Sequence, residues 1–329
     1  MKGLNLLKLR MTSKKCLALT CVASCCFFGS CYKVPDKIEP QISYMVQDKY
    51  IRSLHANFPA LDAHEMAQEW GKEYFIGIAF AKKLDLYRAV TAFKRSEILI
   101  PDHLYHRKQE VEYFIILSYY LGKRFEEAID AFDDSDLTII DTKFPTYHDL
   151  LVILYECYIH TAEKEKAKNI MTLLKHHYPD TAKELELSTA LTMGHLSDVK
   201  KLPYNVQTKE SVSTLLKEYT AEKKSIAKAQ TFNALFPGAG YYYVGQRHSA
   251  ITAFLLNSVF IAAAASFFKN GYTSAGIIFT SFEAGWYFGG IYGAGEAAKL
   301  YNERLYEKKA LTTLNQHKLF PIFMIRYGF

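Results

Sequence analysis

The chain has 329 residues, half of them apolar, and its 40 Lys and Arg exceed its 34 Asp and Glu by six. Five of the basic residues (Lys2, Lys8, Arg10, Lys14 and Lys15) lie within positions 1–31, which hold no acid, so thirty-five basic residues face thirty-four acidic ones in the remainder. A balance that even leaves no basic footprint for nucleic acid, and the apolar content is far too high for a disordered chain.

Lys14-Lys15 is followed by an uncharged run, Cys16 to Cys31, that ends in small residues. A basic start, a short apolar stretch and a small-residue end describe a secretory signal, and the stretch is short for a bilayer span. Met11 is an alternative start to Met1. Five of the six cysteines (16, 21, 25, 26 and 31) lie in this segment and only Cys157 lies outside it. That distribution gives no spaced pairs for a disulfide framework and no ligand spacing for zinc. The segment resembles a bacterial lipoprotein signal, in which a Cys after small residues is lipidated and becomes the new N-terminus. Gly29-Ser30-Cys31 fits the last three lipobox positions, with Phe28 where Leu is usual. Val22-Ala23-Ser24-Cys25 fits all four but leaves a short apolar run after Lys15. Cys31 is the preferred lipidation site and Cys25 the alternative; an ordinary cleaved signal or an uncleaved anchor is the other reading. The resemblance implies that residues from Tyr32 onward lie outside the cytoplasm, held to membrane lipid by acyl chains.

Residues 32–62, with Pro35, Pro40 and Pro59, read as a tether with one short helix. From 63 to 203 the apolar pattern has the helical period of 3.6. Ala89/Phe93 recurs as Ala128/Phe132 and again as Ala167/Met171, at intervals of 39 residues. This pattern resembles the tetratricopeptide repeat (TPR), over roughly residues 63–200. Ile76, Gly77, Phe80, Ala89, Phe93, Ser96 and Pro101 sit at the expected offsets of a first repeat. A second keeps Ile115, Tyr119, Phe125, Ala128 and Phe132, with Ile116 where Gly or Ala is usual and no terminal Pro. A third keeps Tyr155, Tyr158, Ala167 and Pro179, and a weaker fourth helix pair is expected between about 183 and 203. The resemblance implies an α-solenoid whose concave face takes a protein or peptide partner. Tyr74, Ile78, Lys82, Tyr113, Leu117, Tyr120, Glu156 and His160 are expected to point into that groove, with some of the tyrosines packing between repeats instead.

Residues 204–236 form a polar, Lys-rich helix and linker. Pro237-Gly238 breaks it, and Tyr241–Tyr243 reads as an aromatic belt at a membrane surface. Within the module 237–298, runs 249–268 and 272–295 are each long enough to cross a ~30 Å hydrocarbon core, and the short turn between them makes a hairpin. The second run holds a single charge, Glu283, on a face of small and polar residues: Gly276, Thr280, Tyr287, Gly290, Ala294 and Ala297. Small residues let helices approach closely in lipid, and through them the hairpin could form a homo-oligomer. Phe282, Ile291 and Tyr292 fall off this face, toward lipid. A turn centred near Asn270 sets position 283 opposite Asn257, and an ionisable group at that depth needs a partner, so an intramembrane Asn257–Glu283 pair is expected. The module looks similar to one found in bacterial membrane proteins of unknown function. Gly238, Gly240 and Gly245 do not make a nucleotide loop, because the spacing differs and no strand precedes them.

Residues 299–329 read as a charged helix and an apolar tail. The tail alternates at 323, 325, 327 and 329 like the final strand of an outer-membrane barrel, which suits a sorting or docking signal; the favoured reading is a short apolar tail packed on the hairpin. One conflict remains: with the hairpin entered from outside, Lys299, Arg304, Lys308, Lys309, Lys318 and Arg326 lie on the translocated side, against the positive-inside tendency.

No catalytic or metal motif emerges. His64-Glu65 lacks the second His of a zinc protease, His103 and His106 lack a third ligand, and His176-His177 diverge on a helix. Cys157 reads as a buried thiol. The expectation is therefore an all-α chain, a TPR-like α-solenoid followed by a membrane-associated α-helical hairpin, with no cofactor. Its expected role is a non-enzymatic, membrane-anchored scaffold or adaptor of the bacterial cell envelope, with the repeats in the periplasm. The rival is an oligomeric transport or channel subunit that uses Glu283.

Overall fold

The computed structural model describes residues 34–43, 48–202 and 206–329; the signal segment with Cys25 and Cys31 lies outside them. The described residues are all-helical and contain no strand. They divide into two compact units, 41–216 with 309–329, and 217–308 with the stretch up to Pro40. The apolar tail therefore folds with the repeat residues and not with the hairpin, a correction to the favoured sequence reading. It is also no strand: residues Pro321–Phe323 form a 3₁₀ turn, and the rest is irregular and pairs in no sheet.

The larger unit contains α1 (Asp48–Ser53), α2 (Ala63–Ala67), α3 (Glu69–Ala81), α4 (Leu86–Leu99), α5 (Tyr105–Leu121), α6 (Phe125–Asp133), α7 (Tyr147–His160), α8 (Lys164–His177), α9 (Pro179–Thr192), α10 (Leu196–Val199) and most of α11 (Val206–Glu222). From α3 to α10 each helix packs on the next in the chain, and α5 also packs on α7. Four pairs result: α3/α4, α5/α6, α7/α8 and α9/α10.

The turns inside these pairs share one geometry. Leu84, Lys123, Ala162 and Gly194 all have positive φ. The residue after each donates its N–H back to a carbonyl five positions earlier: Asp85 to Phe80, Arg124 to Tyr119, Glu163 to Tyr158 and His195 to Ala190. This is a helix-ending bond that closes over a left-handed residue. The first three left-handed residues are 39 positions apart, the same interval as Ala89, Ala128 and Ala167. Those alanines are all buried, as is Phe93, which lies where a Cβ on Gly77 would come within 2.5 Å of its ring. The absent side chain at Gly77 is what lets α3 and α4 close.

A half-buried charge network fixes the segment before α3. Arg107 on α5 donates to both Glu65 oxygens at 2.8 Å, to Glu110 at 2.8 Å, and to the carbonyls of Pro59 and Ala60 at 2.7 and 3.2 Å. Glu65 also closes the capping box of α2 with Asp62. The Arg107 hydrogen bonds hold the Glu65 carboxyl below its usual range, whereas burial pushes Glu110 up.

The smaller unit contains α12 (Ile226–Leu235), α13 (Ala239–Val244), α14 (Arg247–Lys269) and most of α15 (Thr273–Gln316). Its core joins Val34, Ile226, Ala229, Val244, Ala297 and Ala298, with Tyr241, Tyr243 and Tyr301 against it. The glycine-rich bend is a packing knot. Gly238 has φ +92° and donates its N–H to Asn233 Oδ1 at 2.9 Å, and a Cβ at Gly240 would sit 2.2 Å from the Ala229 carbonyl. Asn302 locks α15 to the start of α12 by bonding both the N–H and the carbonyl of Lys224, at 2.7 and 2.8 Å.

The shared turn generates a prediction. A left-handed L-residue costs about 1–2 kcal/mol, of which glycine's greater unfolded freedom takes back roughly 0.5–1 kcal/mol. Lys123→Gly and Ala162→Gly are each expected to raise stability by roughly 0.5 kcal/mol, read as a higher urea midpoint. The same change at Ala128, inside a helix, is expected to lower it.

Candidate functional site

The site in the larger unit is built around the segment Leu319–Phe329, which we call the strap. It leaves α15 through Lys318, at φ +53°, with the Leu319 N–H returning to the Leu314 carbonyl. Leu319, Phe320, Ile322, Met324, Ile325 and Phe329 are all buried.

The strap is gripped by its main chain. Asp149, in the first turn of α7 and fully buried, accepts the N–H groups of Arg326 and Tyr327 on one oxygen, at 2.9 and 2.8 Å. Its other oxygen takes His148 Nδ1 at 2.7 Å, and His148 Nε2 meets Thr181 Oγ1 on α9 at 2.9 Å. Taking a carboxylate out of water costs free energy unless donors meet its oxygens, and here two of the donors come from the strap. Across the strap, Tyr50 on α1 donates to the carbonyls of Phe323 and Ile325, at 3.0 and 2.7 Å. Burial, and then the charge of Asp149, holds the Tyr50 phenol above its usual range. The Gly328 N–H closes on the His55 carbonyl at 3.1 Å.

Side chains fill what remains. The Phe329 ring stacks on Phe93 at 6.4 Å and leans on Phe114 at 5.6 Å between centroids. Phe58 and Phe144, from irregular segments, pack against Tyr113. Arg326 alone in this stretch turns fully outward, its guanidinium 5.9 Å above the Tyr178 ring. A cavity of about 460 Å³ adjoins Phe329, walled by Ile51, Leu54 and Ala81 and edged by Arg52 and Lys82.

The residues expected to line an open groove are distributed differently. Tyr113, Leu117, Tyr120 and Glu156 are buried; Phe58 and Phe144 from irregular segments cover Tyr113, and Tyr120 packs on Phe125. Tyr120 donates to Glu156 at 3.2 Å, and Glu156 meets His160 at 3.5 Å, whose ring stacks on Phe125. Tyr74 is half-buried and donates to Glu110, Ile78 is half-buried, and Lys82 and His160 are exposed, Lys82 at the edge of the cavity. The tail stood out in the sequence, but Asp149 and Tyr50 did not: an acid among thirty-four and a tyrosine among twenty-four carry no local signal of a contact with a segment so far along the chain.

In the smaller unit α14 and α15 meet through Phe279, which touches Phe260 and Phe267 at 6.1 and 5.0 Å between centroids. Among the described residues α14 is the one helix long and apolar enough to cross a membrane. Ile251, Phe254, Leu255, Val259 and Ile261 on it, and Ile277, Ile278, Phe282 and Trp286 on α15, lie open. Of the three tyrosines expected to form an aromatic belt, only Tyr242 is exposed. Tyr241 packs against Gly293, and Tyr243 accepts the Ser225 N–H at 3.2 Å with the Lys224 ammonium over its ring.

The expected Asn257–Glu283 pair is not made. Asn257 is buried, but its amide donates to the Ala253 carbonyl of its own helix at 2.6 Å, which satisfies that donor locally. Asn257 Oδ1 and Glu283 Oε2 are each buried without a partner. Among the described residues no three His, Cys, Asp or Glu side chains gather as a metal site.

The chain matches no protein-family model, no curated protein and no solved structure.

The strap contact is directly testable. A charge-assisted hydrogen bond is worth roughly 1.5–3 kcal/mol, or about 10- to 150-fold in an opening equilibrium. Asp149→Asn is expected to speed hydrogen exchange of the Arg326 and Tyr327 amides by that factor, with amides in α8 unchanged.

Proposed function

We propose that this protein is a non-enzymatic scaffold of the bacterial cell envelope: a TPR-like α-solenoid, anchored in a membrane by a lipid and by the α14/α15 hairpin, that binds a protein partner. The observation that carries the anchoring is the uncovered apolar surface of α14, continued by Ile277, Phe282 and Trp286 on α15. Lipid is the environment in which such a surface needs no protein cover.

Val34 adds a second support. It is part of the core at the end of the hairpin away from the Gly271 turn, beside Val244, Ala297 and Ala298. Three residues of chain reach at most about 10 Å, so acyl chains on Cys31 would enter the membrane close to where α14 begins. Both anchors then share one membrane face, and the repeats lie on the periplasmic side. The solenoid reading is supported by the turn geometry repeated at 39-residue intervals at Leu84, Lys123 and Ala162, and by helices that each pack on the next.

One observation favours the rival, an oligomeric transport or channel subunit. Asn257 Oδ1 and Glu283 Oε2 are buried acceptors without donors, and several hairpins gathered around Glu283 would supply them. Glu283→Gln separates the two readings: the scaffold keeps its membrane attachment, and the transport subunit loses function.

The anchoring is tested by growing cells with labelled palmitate and extracting the membranes with carbonate. The expected result is a labelled protein that stays in the pellet, with label lost in Cys31→Ala and kept in Cys25→Ala. Release of the unlabelled wild-type chain into the soluble fraction would contradict the proposal.

A further inference from the structure

The strap has the form of a bound peptide. It is irregular outside one short 3₁₀ turn, it is enclosed by α1, α4, α5 and α7 of the larger unit, and the five hydrogen bonds to Tyr50, Asp149 and His55 are made by its main chain. Main-chain donors and acceptors belong to every peptide, so these contacts do not require the sequence 319–329. What selects among sequences is the set of buried apolar positions, Ile322, Met324, Ile325 and Phe329 among them.

The groove also dictates what can fill it. Asp149 is a fully buried carboxylate, and an occupant must bring two successive N–H groups to the same oxygen. Two successive N–H groups that converge on one acceptor are presented by a polypeptide bent locally into a turn, as Arg326 and Tyr327 present them here. The cavity that adjoins Phe329 continues the groove, with Lys82 and Arg52 at its edge, so a segment that ran further would find room there.

We propose that the strap is a cis-bound placeholder in a peptide site, and that the partner of this site is an irregular apolar segment of another protein, which displaces it. This inference rests on the scaffold reading, and it replaces the open groove expected from the sequence with one closed by the chain itself. A tethered ligand competes at an effective concentration of the order of millimolar, so the closed form dominates until a partner with better apolar anchors arrives.

The test uses the full chain in detergent micelles and a fluorescent synthetic peptide of residues 319–329, with a scrambled peptide to report uptake by micelles alone. Weakening the strap in place, with Ile325→Asp and Phe329→Ala together, is expected to raise affinity for the peptide at least tenfold over wild type. Adding Asp149→Asn to that variant is expected to remove the gain. A folded double variant that binds no better than wild type overturns the proposal, and so does loss of its helical circular dichroism, which would make the strap an integral part of the core. A second measurement leaves the strap sequence intact and severs it at a protease site inserted after Gln316. Exchange of the severed strap for labelled peptide supports the proposal, and permanent retention overturns it. Vesicle flotation of the same preparations reads the anchor separately, so failure of peptide exchange with flotation intact removes the strap proposal alone.

Discussion

An apolar helix that its own chain does not cover is the constraint on which the rest of the account depends. A large apolar side chain kept fully in water forgoes about 1.5–3 kcal/mol; the nine named on α14 and α15 are each about half exposed, so together they forgo roughly 10 kcal/mol, as much as the whole stability of an ordinary domain. Such a surface is tolerable only against lipid or another apolar surface. The base of the hairpin is built the other way. There Gly240 admits the Ala229 carbonyl at a distance no Cβ would allow, Asn233 and Asn302 satisfy main-chain groups, and Val34 closes the core. Tight polar closure at one end and bare apolar faces along the helices give the unit a base suited to water and a body suited to oil.

The larger unit solves a different problem. Helix pairs that pack only on their neighbours leave one long face open, and here Phe58, Phe144 and the strap cover it. Covering a face with irregular chain costs main-chain hydrogen bonds unless the helices supply partners. Asp149 and Tyr50 do so, one as acceptor and the other as donor, from either side of the strap. A site that works through the main chain is permissive by its nature, and that permissiveness is what a binding groove and a self-covering groove have in common.

The sequence showed what is periodic and hid what is singular. The spacing of Ala89, Ala128 and Ala167 anticipated the helix pairs, and the close approach of Gly77 to Phe93 follows from residue size alone. The left-handed turns were not visible, because Leu84, Lys123 and Ala162 are not residues that advertise positive φ; only Gly194 is. The tail looked like a strand because its apolar residues alternate in sequence, but Met324 and Ile325 are both buried, so its burial does not follow a strand's two faces. Its destination depended on Asp149 and Tyr50, and nothing in their local sequence announces it. The Asn257–Glu283 pair was drawn from helix geometry, but a short amide reaches its own helix more easily than the neighbouring one.

The central claim is that the α14/α15 hairpin lives in lipid. The chain has two tryptophans, Trp70, buried in the larger unit, and Trp286, open on α15. In a Trp70→Phe variant reconstituted into vesicles, the emission of Trp286 should be quenched by lipids brominated along their acyl chains. Emission that ignores the brominated lipid, from a protein that stays monodisperse in buffer without detergent, would contradict the account.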